Sequence, residues 1–352
     1  MERRFAIVPG DGIGIDVTEE AEKILKTAAE GFGFRLALEH FDFGAERYLR
    51  TGETLPDGTL ERWASFDAIF MGAFGDPRVP DMKHAADILL GTRFRMDLYA
   101  NVRPVRCLAD RLCPLKAYSA KDVDFVVFRE NTEGLYAGVG GIFKKGTPDE
   151  IGIQEDVNTR KGVERIIRAA FEHARKNGRK SVTMSDKSNA LRHAHDVWQR
   201  TFAAVAKEYP EIQARHLYVD ALTMQMIKDP RQFDVVVTCN MFGDIVTDLG
   251  AALQGGLGMA ASGNIHPGKT SMFEPVHGSA PKYAGTDTAN PFGAILTAAM
   301  KLDHAGEADA ARGIEAAVLA CVEATECTAD VGGRLGTRAA GDAVAKRLRA
   351  AR

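Results

Sequence analysis

The stretch Phe233-Asp234-Val235-Val236-Val237-Thr238-Cys239-Asn240-Met241-Phe242-Gly243-Asp244-Ile245-Val246-Thr247-Asp248-Leu249-Gly250 sets the reading of the whole chain. Its first part is a short apolar, β-branched run, the pattern of a buried strand. From Gly243 onward it reads as the start of a helix. On that helix Asp244 and Asp248 stand four apart, so both carboxylates share one face. Like charges at this spacing repel by about 0.2–0.5 kcal/mol on an exposed helix. A divalent cation reverses that sign, and ligands offering only oxygen suit Mg²⁺ or Mn²⁺. Taken alone, two solvated acids on a surface helix explain the pair equally well. The pair is followed, however, by Gly250, Gly255, Gly256 and Gly258, then by His277-Gly278-Ser279-Ala280-Pro281. An acid pair past a strand end, beside glycine-rich loops, points to a catalytic site.

Working outward, β-rich runs alternate with amphipathic stretches. Strands are expected over 5–8, 68–71, 124–128 and 181–184, and helices over 15–30, 163–176 and 195–208. Such alternation gives an α/β protein with a largely parallel sheet. Residues 138–148 break the pattern as a flexible, glycine-rich segment, and 150–156 could extend from it as an arm. The tail turns amphipathic over 339–349. The early motif Pro9-Gly10-Asp11-Gly12-Ile13-Gly14 follows a strand and opens a helix, but its spacing is G-x-G-x-G, and no acidic residue closes a second strand about 20 residues on. It reads as a tight turn whose backbone approaches a ligand, not as a Rossmann site.

Composition narrows the class. A chain of 352 residues exceeds what one compact core usually serves, which favours two domains. The net charge of −3 gives no general attraction to nucleic acid or anionic membrane. No apolar run approaches the roughly 20 residues that span a bilayer. The opening residues read as a strand, with too short an apolar run for a signal peptide. Five cysteines, Cys107, Cys113, Cys239, Cys321 and Cys327, form no CxxC pair, so no zinc pattern arises and a reducing cytoplasm is the expected location.

Three further segments place polar residues near strand ends, where open α/β sheets bind ligands. They carry Arg93 with Arg103, Arg129 with Tyr136, and Lys187 within Ser185-Asp186-Lys187-Ser188-Asn189. Three arginines can grip more than one carboxylate. A single arginine is more often a surface salt bridge, and a lone lysine or tyrosine a solvated loop side chain.

Read together, these segments resemble the metal-dependent β-decarboxylating dehydrogenases, the isocitrate/isopropylmalate dehydrogenase family. The resemblance covers Pro9–Gly14, Tyr99-Ala100-Asn101-Val102-Arg103-Pro104, Arg129-Glu130-Asn131-Thr132-Glu133-Gly134, the Asp244/Asp248 pair, and Phe273-Glu274-Pro275-Val276-His277-Gly278-Ser279-Ala280-Pro281. It implies a two-domain isopropylmalate dehydrogenase-like fold around a cleft with a shared mixed sheet. Residues 1–100 and 255–352 would form the cofactor domain, and 101–254 the dimerisation and metal/substrate domain with an interface arm near 138–156. It implies that Arg93, Arg103 and Arg129 hold the carboxylates of a 2-hydroxy diacid. Asp244 and Asp248 would bind Mg²⁺ or Mn²⁺, with Asp220 added from the second subunit of a homodimer. Lys187 would be the base and Tyr136 the acid. The nicotinamide cofactor would lie against His277, Gly278, Ser279, Ala280 and Asn290. Neither nucleic acid nor membrane is an implied partner, and every catalytic position being present argues against a non-catalytic regulatory subunit.

Specificity is expected in Ala86-Asp87-Ile88-Leu89-Leu90-Gly91-Thr92-Arg93. The isocitrate members supply serine and asparagine where Asp87 and Leu89 stand. An aspartate repels a third carboxylate, and a leucine cannot hydrogen-bond it. Leu89 and Leu90 match the apolar wall that faces an isopropyl group, whose burial is worth about 1.5–3 kcal/mol. The expected substrate is therefore 3-isopropylmalate, in leucine biosynthesis. The small Ala86 and Ala190 keep tartrate and D-malate as the runner-up, ahead of isocitrate and homoisocitrate. Lys282-Tyr283 stands where NAD-dependent members carry aspartate. That favours a 2′-phosphate, but Ala329 and Gly333 fall where NADP-dependent members have tyrosine and arginine. NAD is the expected cofactor, with NADP the alternative.

Overall fold

The computed structural model describes residues 2–350; Met1, Ala351 and Arg352, the outermost positions of the expected domain bounds, lie outside the described residues. Its strands, in chain order, are β1 Glu2–Gly10, β2 Arg35–His40, β3 Ala68–Ala73, β4 Ala100–Arg106, β5 Asp124–Glu130, β6 Gly140–Phe143, β7 Ile151–Gln154, β8 Ser181–Asp186, β9 Gln213–Tyr218, β10 Val235–Thr238, β11 Ala261–Ile265 and β12 Ser271–Pro275. Helices separate most of them, giving an α/β fold with a mixed sheet. The chain divides into two compact units: Met1–Leu98, Arg103–Val123 and Gly250–Arg352 in the first, Tyr99–Val102 and Asp124–Leu249 in the second.

In the first unit the strand order is β2-β1-β3-β12-β11. β1 pairs in parallel with β2 and β3, and β3 with β12, while β11 and β12 are antiparallel. Side chains alternate across a strand, and β1 and β3 show it: Phe5, Ile7 and Phe70 enter one core cluster, Ala6, Val8, Ile69 and Met71 the other. The first cluster is closed by the helices Ile13–Phe32, Phe292–His304, Ala308–Glu323 and Thr337–Ala350. The glycine turn after β1 has a packing cause. A Cβ on Gly12, whose φ is 56°, would meet the Ser279 carbonyl oxygen at 2.2 Å, and Ile13 N–H donates to that same oxygen at 2.8 Å. The close approach expected toward a ligand is made here to the backbone of the 277–280 loop.

In the second unit β5-β10-β8-β9 are all parallel. Parallel strands buried on both faces read as continuous apolar runs, as in β10, whose four residues are all buried. The helix Arg160–Lys176 covers this sheet with Val163, Ile166, Ile167, Ala170 and Ala174, the apolar positions expected from the sequence. Thr159 caps its start, accepting from Gly162 N–H at 3.0 Å. One expectation is corrected. Residues 138–148 are not only a flexible break: β6 lies within them and pairs antiparallel with β7, register Gly140↔Gln154 to Phe143↔Ile151. Glycine permits this because a Cβ on Gly140 would strike the Ile153 carbonyl oxygen at 2.1 Å.

Candidate active site

Parallel strands end on one edge, and that edge carries the predicted site residues of the second unit. In spatial order, β5 ends at Arg129-Glu130, β10 leads into the helix Asn240–Leu253, β8 leads into Lys187, and β9 leads into Asp220 on the helix Val219–Lys228. The helix bearing the acid pair begins at Asn240, three residues before Gly243. The difference matters, because Asn240 clamps Arg129. Its Oδ1 accepts from Arg129 Nε at 3.0 Å and from Nη2 at 2.7 Å. Arg129 Nη1 donates to Asp244 Oδ1. Gly243 is required by this arrangement: a Cβ there would lie 2.5 Å from Arg129 Cγ.

Tyr136 donates its hydroxyl to Asp244 Oδ2 at 2.9 Å, and the Arg129 guanidinium sits 5.1 Å over its ring. Burial, then the Asp244 charge, pushes the Tyr136 hydroxyl above the ordinary tyrosine range. It therefore stays protonated, the form an acid needs. Lys187 Nζ donates to Asp220 Oδ1 at 2.8 Å, and that bond is the leading cause holding the Asp220 carboxyl below its ordinary range. The edge thus presents two clusters, Arg129–Tyr136–Asp244 and Lys187–Asp220. Among the described residues, no group of three or more His, Cys, Asp or Glu side chains gathers as a metal cage within one chain. The Asp244 and Asp248 carboxylates, one helical turn apart and respectively half-buried and exposed, still offer the oxygen-only face that a hard divalent cation fits. Glu133, part of the quoted motif, is structural: it accepts from Thr159 N–H at 2.8 Å and braces the start of the following helix.

The first unit holds the other predicted residues. Arg93 is buried and donates from Nη2 to Glu274 Oε1 at 2.5 Å, where Asn264 Nδ2 also donates at 2.9 Å. Burial raises the Glu274 pKa, but the charge and hydrogen bond of Arg93, the bond from Asn264 and the charge of Arg103 outweigh it, and the carboxyl stays below its ordinary range. Glu274 was legible in the motif, yet nothing in the sequence paired it with Arg93. Leu89 and Leu90 lie on a π-helical turn, Ala86–Leu90, a feature enriched at functional sites and invisible to a 3.6-residue pattern. Leu89 packs against the second core cluster, and Leu90 is half-buried. Asp87 accepts from Thr54 Oγ1 at 3.0 Å. The exposed Ala86 adds no charge.

Around the 277–280 loop, His277 is buried with Nε2 lacking a hydrogen-bond partner, while Nδ1 lies 3.0 Å from the Gly278 carbonyl. Burial lowers its pKa, so the ring is neutral. A Cβ on Gly278 would meet nothing within 4 Å. Ser279 is buried and Ala280 adopts φ 36°. Asn290 Nδ2 donates to Asp330 Oδ2 at 3.0 Å. Lys282 and Tyr283 are exposed, with Nζ 4.6 Å above the ring. A buried, orphaned ring nitrogen beside an open glycine fits a loop that receives a polar ligand.

This fold and these residues define a class: a metal- and nicotinamide-dependent decarboxylating dehydrogenase. The chain belongs to the isocitrate/isopropylmalate dehydrogenase family, whose sequence pattern matches residues 4–344. It is 46% identical to the 3-isopropylmalate dehydrogenase of Thermobifida fusca over 347 residues, 98% of this chain and 97% of that one. It is 48% identical to the 3-isopropylmalate dehydrogenase of Corynebacterium kroppenstedtii over 318 residues, 90% of this chain and 92% of that one. Among solved structures, an isocitrate dehydrogenase from Methylococcus capsulatus superposes with a TM-score of 0.90 at 38% identity, covering 99% of both chains.

Proposed function

We propose that the protein oxidatively decarboxylates (2R,3S)-3-isopropylmalate to 2-oxo-4-methylpentanoate, a step of leucine biosynthesis. The observation that carries this substrate is the π-helical turn with half-buried Leu89 and Leu90, four and three residues ahead of the buried Arg93. Its apolar surface suits a branched alkyl group and offers a third carboxylate no partner. Relatives bearing the 3-isopropylmalate name at 46–48% identity support the same choice.

Arg93, Arg103 and Arg129 are assigned to the substrate carboxylates, and Asp244, Asp248 and Asp220 to Mg²⁺ or Mn²⁺. When bound, the cation would supply Lewis acidity to the substrate and the nicotinamide would serve as the hydride acceptor. Lys187 Nζ takes the hydroxyl proton. Its 2.8 Å contact with Asp220 must first be given up, which frees Asp220 as a ligand and Lys187 as a base in one movement. Tyr136 Oη returns a proton to carbon after CO₂ is lost, consistent with its raised pKa. His277, Gly278, Ser279, Ala280 and Asn290 are assigned to the cofactor, with Lys282 and Tyr283 at its ribose end. NAD is the proposed cofactor; a tenfold preference for NADP in kcat/KM would overturn that.

A homodimer is part of this proposal. Asp220 is taken to serve the other subunit, and because Lys187 is bound to it in the same chain, Lys187 would be donated with it. The hairpin β6–β7 is the proposed interface arm, residues 1–100 and 255–352 the cofactor domain, and 101–254 the dimer domain. A cytoplasmic setting fits five free thiols; no helix among the described residues is long and apolar enough to cross a membrane.

The test is reduced-nicotinamide absorbance with Mn²⁺, each cofactor, and 3-isopropylmalate, D-malate, tartrate or isocitrate. Preference for 3-isopropylmalate supports the reading. Preference for D-malate or tartrate would assign specificity to Ala86 and Ala190, both exposed, over the leucines.

A further inference from the structure

We infer that His195 is a positioning residue for Lys187, holding the lysine's backbone in place and tying it to the end of the β6–β7 hairpin through Asp156. The inference rests on the assignment of Lys187 as the base. His195 is fully buried. Its Nδ1 accepts the Lys187 backbone N–H at 2.9 Å. A backbone N–H can only donate, so Nδ1 carries no proton and the neutral ring keeps its proton on Nε2. Nε2 lies 3.3 Å from Asp156 Oδ2, close but without the alignment of a full hydrogen bond. The carboxylate favours that tautomer, since a proton on Nε2 faces a negative charge.

The lysine's other backbone group is held as well. Its carbonyl accepts from Ala190 N–H at 2.9 Å and from Leu191 N–H at 2.8 Å, and His195 N–H donates to the Leu191 carbonyl at 2.9 Å. His195 therefore closes the loop that Lys187 opens. Its ring also packs edge-on against Phe242, ring centroids 5.6 Å apart. Asp156 stands two residues beyond β7, and its neighbour Asn158 accepts from Trp198 Nε1 at 2.8 Å. The segment following the hairpin thus bonds the helix Asp196–Ala206 at Trp198 and approaches His195, the residue just before that helix, which reaches the lysine loop. How the hairpin is seated bears directly on where Lys187 sits.

The test separates acceptance of a hydrogen bond from the filling of space. Asn places a carbonyl oxygen near the Nδ1 position; Gln and Leu match the ring's bulk better but put no acceptor there. His195→Leu and His195→Gln should each lower kcat about tenfold, the loss of one hydrogen bond's worth of placement, with KM for substrate changed less than about twofold. His195→Asn should recover most of the lost kcat. Lys187→Ala and the Lys187→Ala/His195→Leu double variant should have equal residual rates, as expected for residues acting as one unit. Melting temperatures identify any variant that fails to fold, and the Asn–Gln comparison then still decides. An undiminished kcat in His195→Leu, or Asn faring no better than Gln, overturns the inference. An active Lys187→Ala enzyme overturns the assignment of the base itself, and the inference with it.

Discussion

At the scale of single residues, buried charge governs this protein. Arg93 can be held ready in a buried site because Glu274 stands against it at 2.5 Å. Removing one partner of a buried pair leaves the other uncompensated and costs about 3–5 kcal/mol. Glu274→Gln keeps a hydrogen-bond acceptor but loses the charge, so a smaller loss, on the order of 1–3 kcal/mol, is expected in denaturant unfolding, together with a raised KM for substrate. The Glu274 carboxyl is held below its ordinary range. Its contribution to stability is therefore complete above the ordinary glutamate pKa and disappears as pH falls through the lowered value. Lys301 is the opposite case. It is fully buried, its Nζ has no hydrogen-bond partner, and it faces the Phe5 ring at 4.0 Å and the Phe70 ring at 5.0 Å. Burial pulls its pKa down to about 7. The unfolded chain then binds more protons than the folded one between about 7 and the ordinary lysine value, so stability rises with pH across that window. Lys301→Met should raise the melting temperature by a few degrees at pH 6 to 7, and the gain should shrink toward pH 10. A gain that does not change with pH would mean that folded and unfolded chains bind the Lys301 proton equally, so that burial does not lower its pKa.

At the scale of elements, helix propensity and packing make opposed forecasts for Gly243. On propensity alone, alanine in a helix is favoured over glycine by about 1 kcal/mol. The structure puts a Cβ at this position 2.5 Å from Arg129 Cγ and 2.6 Å from Arg129 Cβ, against a side chain held by Asn240 and Asp244. Packing should win: Gly243→Ala is expected to destabilise by about 1–3 kcal/mol and to cut kcat/KM at least tenfold as Arg129 shifts. A more stable, fully active variant would contradict the clamp. The same competition explains which elements could be read in advance. The strand Val235–Thr238 carries a continuous apolar run and the helix Arg160–Lys176 a 3.6-residue period, and nothing tertiary opposes either. The π turn at Ala86–Leu90 carries no such period and packs Ile88 and Leu89 on a core formed by other elements, while the hairpin β6–β7 is exposed along both strands and has no buried face to mark it.

At the scale of the molecule, the hairpin is the part least complete in a single chain. Ile142, Phe143 and Ile151 are 56%, 58% and 52% exposed, and a lone two-stranded ribbon is marginal in water. If it is a subunit arm, Ile142→Asp/Phe143→Asp should leave a monomer in sedimentation with under a tenth of the activity, since Asp220 and Lys187 would no longer reach a second copy; a fully active monomer would refute donation across an interface. The sequence by itself determined the α/β class and the family, and supplied the residues proposed for the chemistry, because alternating elements and the short motifs at strand ends are local properties of the chain. Only the tertiary structure decided that Glu274 balances Arg93, that Asn240 and Gly243 shape the bed of Arg129, that Lys187 is bonded to Asp220, and that His195 holds the lysine loop. The first three join residues brought together by how the elements pack, and no one-dimensional pattern encodes such a distance; the last spans eight residues of one loop, whose turn has neither the strand nor the helix period.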